Sequence, residues 1–289
     1  RCFNYLPVGV DYILRLLYHS ASVGAAFAGW RDMLWILKPL KIFAFVILVI
    51  TFLTISFSVD LIIRNKEAKL RYFSRISSFY LRVALRVLGV SVLLRDVKNL
   101  AKGKGNYFIV SNHLSYIDIF VIFSVVPAVF IANSELEEAF LLGAIIRYSG
   151  GVFVERRSRA RLLKDMQNIK DILNMGFNVV LFPEGTTSDG REVKPFKTSF
   201  LDAAAGSGVQ VLPVCIKYKK ANGEDIGPEN GPLVYYHGDV TFFGHFFRFL
   251  NLRRVDVELR ELEVIEPGQT RKELAEAAYE IISAAYREL

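Results

Sequence analysis

The hydrophobic pattern divides the chain into a long uncharged run, a mixed apolar and basic run, and a region where short apolar stretches alternate with helical spacing. Ile42 to Val59 carries no charge, and Asp60 is followed by three more apolar residues before Arg64. That length reaches the roughly 20 residues a helix needs to cross a bilayer, so a transmembrane or deeply inserted helix is predicted over 42–63. From Tyr72 to Leu94 apolar residues are interleaved with Arg75, Arg82 and Arg86. Such a helix fits a membrane interface, with arginines towards phosphates and Phe73, Ile76, Phe79, Leu81 and Leu85 towards acyl chains. Packing on a soluble domain fits the same pattern, and the two readings can hold on different faces.

From residue 107 the period switches repeatedly. Strands are predicted over 107–111, 128–132, 151–154, 178–182, 209–217 and 255–264, and helices over 117–125, 136–147, 159–175, 197–205 and 270–288. Leu162, Leu163, Met166, Ile169, Ile172 and Leu173 give the third helix its face, and Gly176 stops it. Thr270 and Glu273 form a capping box ahead of the last helix. This alternation argues an α/β domain with its chemistry at strand ends, preceded by membrane-embedded N-terminal helices. The segments are then 1–41 interfacial, 42–63 inserted, 64–96 amphipathic at the interface, and 97–289 the α/β domain.

Charge sharpens the membrane picture. The hydrophobic fraction of the 289 residues is 52% and the net charge +7. Basicity suits a nucleic acid, an anionic bilayer or phosphorylated substrates, and the apolar segments select the bilayer, so no nucleic-acid partner is expected. Arg64, Lys66, Lys69, Arg71, Arg75, Arg82 and Arg86 outnumber Lys38 and Lys41 on the other flank, which places the α/β domain on the cytoplasmic side. Within 1–41, Tyr12–Tyr18 and Met33–Lys38 are amphipathic enough for interfacial helices. Cys2 and Cys215 lie far apart without a ligand pattern, so neither a disulfide framework nor a metal site is expected.

Candidate chemistry begins with Asn112-His113-Leu114-Ser115-Tyr116-Ile117-Asp118, a polar island between two apolar runs. A histidine and a carboxylate at a strand mouth suit a general base and its orienter. Five residues at about 100° each separate the two by roughly 140° on a helix, so the pair requires His113 in the loop and Asp118 in the first helical turn. Ser115 and Asp118 also fit an ordinary helix start. In Phe182-Pro183-Glu184-Gly185-Thr186-Thr187-Ser188 a strand runs into an acid, a glycine and hydroxyls, where Glu184 would accept from a hydroxyl or hold an arginine. Gly150 to Arg157 ends a glycine-led strand in Glu155, Arg156 and Arg157, and guanidinium grips phosphate well. Lys194 and Lys197 add to that grip or face solvent. Pro213 suggests an edge or a pocket wall. His237 and His245, crowded by phenylalanines, read as structural or interfacial. The chain has no Gly-x-Ser-x-Gly turn, which argues against a serine hydrolase.

Asn-His-(four residues)-Asp at 112–118, Gly-x-x-Phe-Val-x-Arg at 150–156, Phe-Pro-Glu-Gly-Thr-x-Ser at 182–188 and Val-x-Pro-Val at 211–214 come in an order that resembles the glycerolipid acyltransferase family. The likeness is greatest to bacterial 1-acyl-sn-glycerol-3-phosphate (lysophosphatidic acid) acyltransferases. It implies a mixed sheet flanked by helices, and a bacterial inner-membrane enzyme that makes phosphatidic acid in phospholipid biosynthesis. By the same resemblance His113 is the base and Asp118 its orienter. Arg156 and Glu184-Gly185-Thr186 bind the acceptor, with Asn112 and Lys197 beside them. The partners it implies are membrane lipids and an acyl-carrier-protein or coenzyme A thioester, with no metal or other cofactor. Thr187 stands where those enzymes often carry arginine. That, with Asp189-Gly190 and Pro195-Phe196-Lys197, is similar to relatives that acylate other lysolipids, lyso-ornithine lipid among them. A non-catalytic protein that binds anionic lipid is the reading from another class, and the intact His113/Asp118 pair speaks against it.

Overall fold

The computed structural model describes residues 29–102, 106–155 and 158–289. The interfacial segment expected at Tyr12–Tyr18 and the arginine expected to hold phosphate, Arg156, lie outside them. The chain forms two compact units, Arg1–Leu40 and Lys41–Leu289. Of the first, the opening of helix α1 (Gly29–Ile62) is described; the sheet and its helices belong to the second.

Within α1, Leu37–Ile62 has a mean hydropathy of 2.7 and is long and apolar enough to cross a membrane. Three of its hydroxyls bond within the helix: Thr51, Thr54 and Ser58 donate to the carbonyls of Ile47, Ile50 and Thr54. That back-bonding lets hydroxyls sit in an apolar surface. Phe43, Ile50, Phe57 and Leu61 are exposed on it. Asn65 then caps α2 (Lys66–Leu88) through the Ala68 amide. α2 runs back beside α1, with Asp60 on Lys69 at 2.5 Å and Phe52 edge-on to Tyr80 at 5.5 Å.

The other face of α2 is narrow and packs on the domain. Ser74, Ser77, Ser78, Ala84 and Leu85 are buried there, and Ser78 Oγ donates to Phe123 O at 2.7 Å. Arg82 is exposed and donates through Nε to Ser124 O at the end of the neighbouring helix. Two expectations are corrected at this point. The helix does not run to Leu94: Gly89 ends it in the left-handed region (φ 81°), and a Cβ there would lie 2.1 Å from Arg253 O. Val90–Arg95 is strand β1, so the sheet begins before residue 97.

The sheet is mixed. After β1 come α3 (Asn99–Lys102), β2 (Phe108–Ser111), α4 (Ile117–Val125), β3 (Val129–Asn133), α5 (Phe140–Tyr148), β4 (Val152–Val154), α6 (Arg159–Asn174) and β5 (Val179–Leu181). A short 3-10 turn leads to α7 (Asp202–Ala205), then β6 (Val211–Ala221), β7 (Glu224–Asp225), α8 (Gly231–Val234), α9 (Phe242–Phe249), β8 (Val255–Glu261) and α10 (Arg271–Glu288). Strand order is β1-β8-β6-β2-β5-β3-β4, with β7 on β6. β2 pairs parallel with both β5 and β6, whereas β6 and β8 are antiparallel. Phe108, Ile109 and Val110 are fully buried in the middle strand, as a run covered on both faces must be.

Pro213 lies not at an edge but within β6, between β2 and β8. It keeps its acceptor, Leu262 N to Pro213 O at 3.0 Å, and its missing donor falls just past the end of β8.

Candidate active site

β2 and β5 are parallel neighbours in register, Val110 beside Leu181, so the loops after them emerge together at one end of the sheet. Asn112 opens the first loop. Its side-chain amide donates to Ile216 O and accepts from Ile216 N, each at 2.9 Å, and it is fully buried. The side chain thus continues the β2–β6 pairing beyond Ser111. Expected beside the substrate, Asn112 here engages both its amide oxygen and its amide nitrogen on backbone.

His113 is held by its backbone and by its ring. Its N–H donates to Glu184 Oε1 at 2.8 Å, and its carbonyl accepts from Ser188 N at 2.9 Å. Its Nδ1 lies 2.9 Å from Asp118 Oδ2, and the ring stacks on Phe182 at 4.0 Å between centroids. Asp118 is the second residue of α4 and fully buried. Oδ2 also accepts from Leu114 N at 2.6 Å and Ser115 N at 2.8 Å, while Oδ1 accepts from Tyr218 OH at 2.7 Å. An oxygen already taking backbone N–H bonds is an acceptor, so Nδ1 carries the ring proton and Nε2 the free lone pair. The His113 side chain is 18% exposed beside an Asp118 at 0%, so the ring reaches solvent where the acid does not. The helix-start pattern is met only in part: Asp118 accepts the Ser115 N–H, but Tyr116 stands at the N-cap and no side chain caps the helix.

The second loop closes on the first. Glu184 faces inward with 2% exposure, and its Oε2 accepts from Lys194 N at 3.2 Å. Its observed partners are therefore amides of the two loops, and no arginine is among its hydrogen-bond partners in the described residues. Burial pushes its carboxyl up to about 7, against the lowering effect of the His113 and Lys194 amides. Gly185 turns the chain at φ 72°, a conformation a side chain rarely adopts. Thr186 is exposed beyond it. Lys194 Nζ donates to Thr187 O at 2.8 Å and ties the loop across. Lys197 is exposed, with its backbone N–H on Pro183 O at 2.9 Å.

The structure thus gathers His113, Asp118, Glu184, Gly185 and Thr186 at one mouth. Sequence reasoning missed Tyr218, fully buried on β6, whose hydroxyl is held in its protonated form by burial and by Asp118. It also missed Tyr116, in the loop between His113 and Asp118. Tyr116 OH lies 3.1 Å from His245 Nδ1 on α9, and burial lowers the His245 ring to about 4. His245 is fully buried, in keeping with a structural role.

The chain is similar to known acyltransferases. The family model described as Acyltransferase matches residues 91–217. Lyso-ornithine lipid O-acyltransferase of Brucella abortus is 37% identical over 193 residues, covering 64% of this chain and 71% of the relative. 1-acyl-sn-glycerol-3-phosphate acyltransferase of Neisseria gonorrhoeae is 34% identical over 167 residues, 58% of this chain and 63% of that one. The fold matches the crystal structure of the 1-acyl-sn-glycerophosphate (LPA) acyltransferase from Thermotoga maritima with a TM-score of 0.66 and 24% identity, over 89% of this chain and 96% of the other. With His113 held by Asp118 after β2 and by Glu184 after β5, and with relatives this similar, this protein is a member of the acyltransferase family.

Proposed function

We propose that the enzyme transfers a fatty acyl group from an acyl-carrier-protein or coenzyme A thioester to the free hydroxyl of a lysolipid, with 1-acyl-sn-glycerol-3-phosphate as acceptor and phosphatidic acid as product. The observation that carries the reading is His113, with Nδ1–H fixed on Asp118 and Nε2 left as the base. Nε2 takes the proton of the acceptor hydroxyl as its oxygen attacks the thioester carbonyl. The C–O bond forms, the C–S bond breaks, and the imidazolium returns the proton to the departing thiolate. Asp118 steadies the charged ring between those steps, and Phe182 and the Glu184–His113 bond keep it aimed. A thiolate leaves readily, so one base and good positioning suffice without a metal or redox cofactor. Thr186, with Arg156 and Lys197, holds the acceptor head group.

A second acceptor, lyso-ornithine lipid, is favoured by the Brucella abortus relative and by Thr187 in the place where lysophosphatidate enzymes often carry arginine. The deciding experiment supplies purified enzyme with radiolabelled acyl donor and a panel of lysolipids, and separates products by head group. Label in phosphatidic acid supports the first acceptor, label in ornithine lipid the second, and label in neither refutes both.

The exposed apolar length of α1 supports attachment to the bacterial inner membrane, and the basic flank supports a cytoplasmic active site. Lys41 Nζ donates to Leu88 O and Leu252 O, and Asp60 pairs with Lys69. α1 is thus tied to the domain at Lys41 and to α2 at Asp60.

A further inference from the structure

Helix α9 takes no part in the proton transfer, yet it leaves two aromatic rings uncovered: Phe243 is 64% and Phe247 45% exposed. Their i, i+4 spacing puts both on one face, while His245, Phe246 and Phe249 are buried on the other. Adjoining exposed aromatics mark a surface that something covers. What covers this one follows from its neighbour. Phe246 packs on Phe45 of α1 at 4.9 Å between ring centroids, and Lys41 of α1 bonds Leu252 O just beyond α9. Around Phe45, α1 exposes Phe43, Val46, Ile47 and Ile50. The open face of α9 thus continues the apolar surface of α1, and exposed Arg248 in its last turn offers a cation to lipid phosphates.

We propose that α9 is an interfacial helix that inserts Phe243 and Phe247 into the headgroup boundary of an anionic bilayer, and so sets the depth of the catalytic loop. The link to that loop is direct. Tyr116 contacts His245 through its hydroxyl and Phe242 through its ring at 4.9 Å, and Tyr236 N donates to Leu114 O at 3.0 Å. A lysolipid held in the membrane presents its hydroxyl at one depth, and α9 brings His113 to it. The proposal rests on the membrane-attached reading of α1 but not on the choice of acceptor.

The test places a bimane label at F243C, F247C and, as a water-facing control, E229C in the full chain carrying C2S. Cys215 stays, since it is fully buried and its thiol is pushed up to about 12. The proteins are reconstituted in phosphatidylethanolamine–phosphatidylglycerol vesicles. Nitroxide-bearing acyl chains should quench positions 243 and 247 at least about fivefold more than 229, with aqueous iodide showing the reverse order. Quenching at 243 and 247 equal to that at 229 would overturn the proposal, as would shielding from iodide that appears only on adding acyl-carrier protein. This readout needs no turnover, so it stands or falls apart from the reaction.

A second measurement uses F243S together with F247S. The KM for a long-chain lysolipid in vesicles should rise about tenfold, while kcat/KM for a short-chain acceptor dissolved below its micelle concentration stays within about twofold. Equal losses on both acceptors, or none on either, would overturn it.

Discussion

Asp118, after β2, and Glu184, after β5, are both buried acids that accept from backbone amides, but only Asp118 also touches an imidazole. Asp118 takes bonds from the His113 ring, two amides and the Tyr218 hydroxyl. Glu184 takes bonds from the amides of His113 and Lys194. The first acid sets the direction of a ring; the second sets the place of the residue that bears it. Reactivity and position of a single histidine are thus assigned to separate loops, and substitutions should separate them.

The widest gap is expected at the base itself. His113→Ala should lower kcat by about 10³–10⁴-fold without loss of membrane attachment, measured by single-turnover acyl transfer. A rate near that of the parent would remove His113 from the chemistry. Asp118→Asn loses the charge that steadies the imidazolium, so kcat should fall by up to about 10⁴-fold. Glu184→Gln should cost less than about tenfold in kcat, because the ring keeps its partner. A loss as deep as that of Asp118→Asn would break the comparison and put Glu184 against substrate.

Glu184 carries a distinct pH signature. Its folded carboxyl titrates near 7 rather than at the usual 4.5, so the folded state binds the extra proton between those values. The stability it contributes is fully present below pH 4.5 and is lost as pH rises through 7. Denaturant midpoints of the parent should therefore fall over that window relative to Glu184→Gln, and parallel curves would contradict the assignment. The smallest effect belongs to Tyr218→Phe. Removing one bond to Asp118 should lower kcat about threefold and cost about 1 kcal/mol in stability, read from the same denaturation curves.

Much of this was legible in the residues. Helix 117–125 coincides with α4, and the predicted 159–175 helix differs from Arg159–Asn174 by one residue. The need for His113 in a loop and Asp118 in a first turn followed from helix geometry alone. Local pattern failed where long-range pairing decides. Leu88-Gly89-Val90-Ser91-Val92 stays apolar across the end of α2, and β1 becomes a strand because β8, far along the chain, supplies its partner. Tyr218 lies one residue beyond the strand predicted at 209–217, and its target is 100 residues away. The amide of Asn112 looked like a site donor, and only the arrival of Ile216 shows its bonds to the β6 backbone. α9 has just eight residues, half of them or more phenylalanine, a composition that reads as core at any position.

The two bonds from the His113 backbone, to the Glu184 carboxylate and the Ser188 amide, bear on any attempt to exchange head-group preference by transplanting residues 183–190 from a relative. A donor loop of different length would drag the base with it, so activity would vanish for reasons unrelated to selectivity. Positions 184 and 188 have to be kept as fixed anchor points, which leaves Thr186 and Thr187 as the places where a library can be diversified without disturbing the His113 ring.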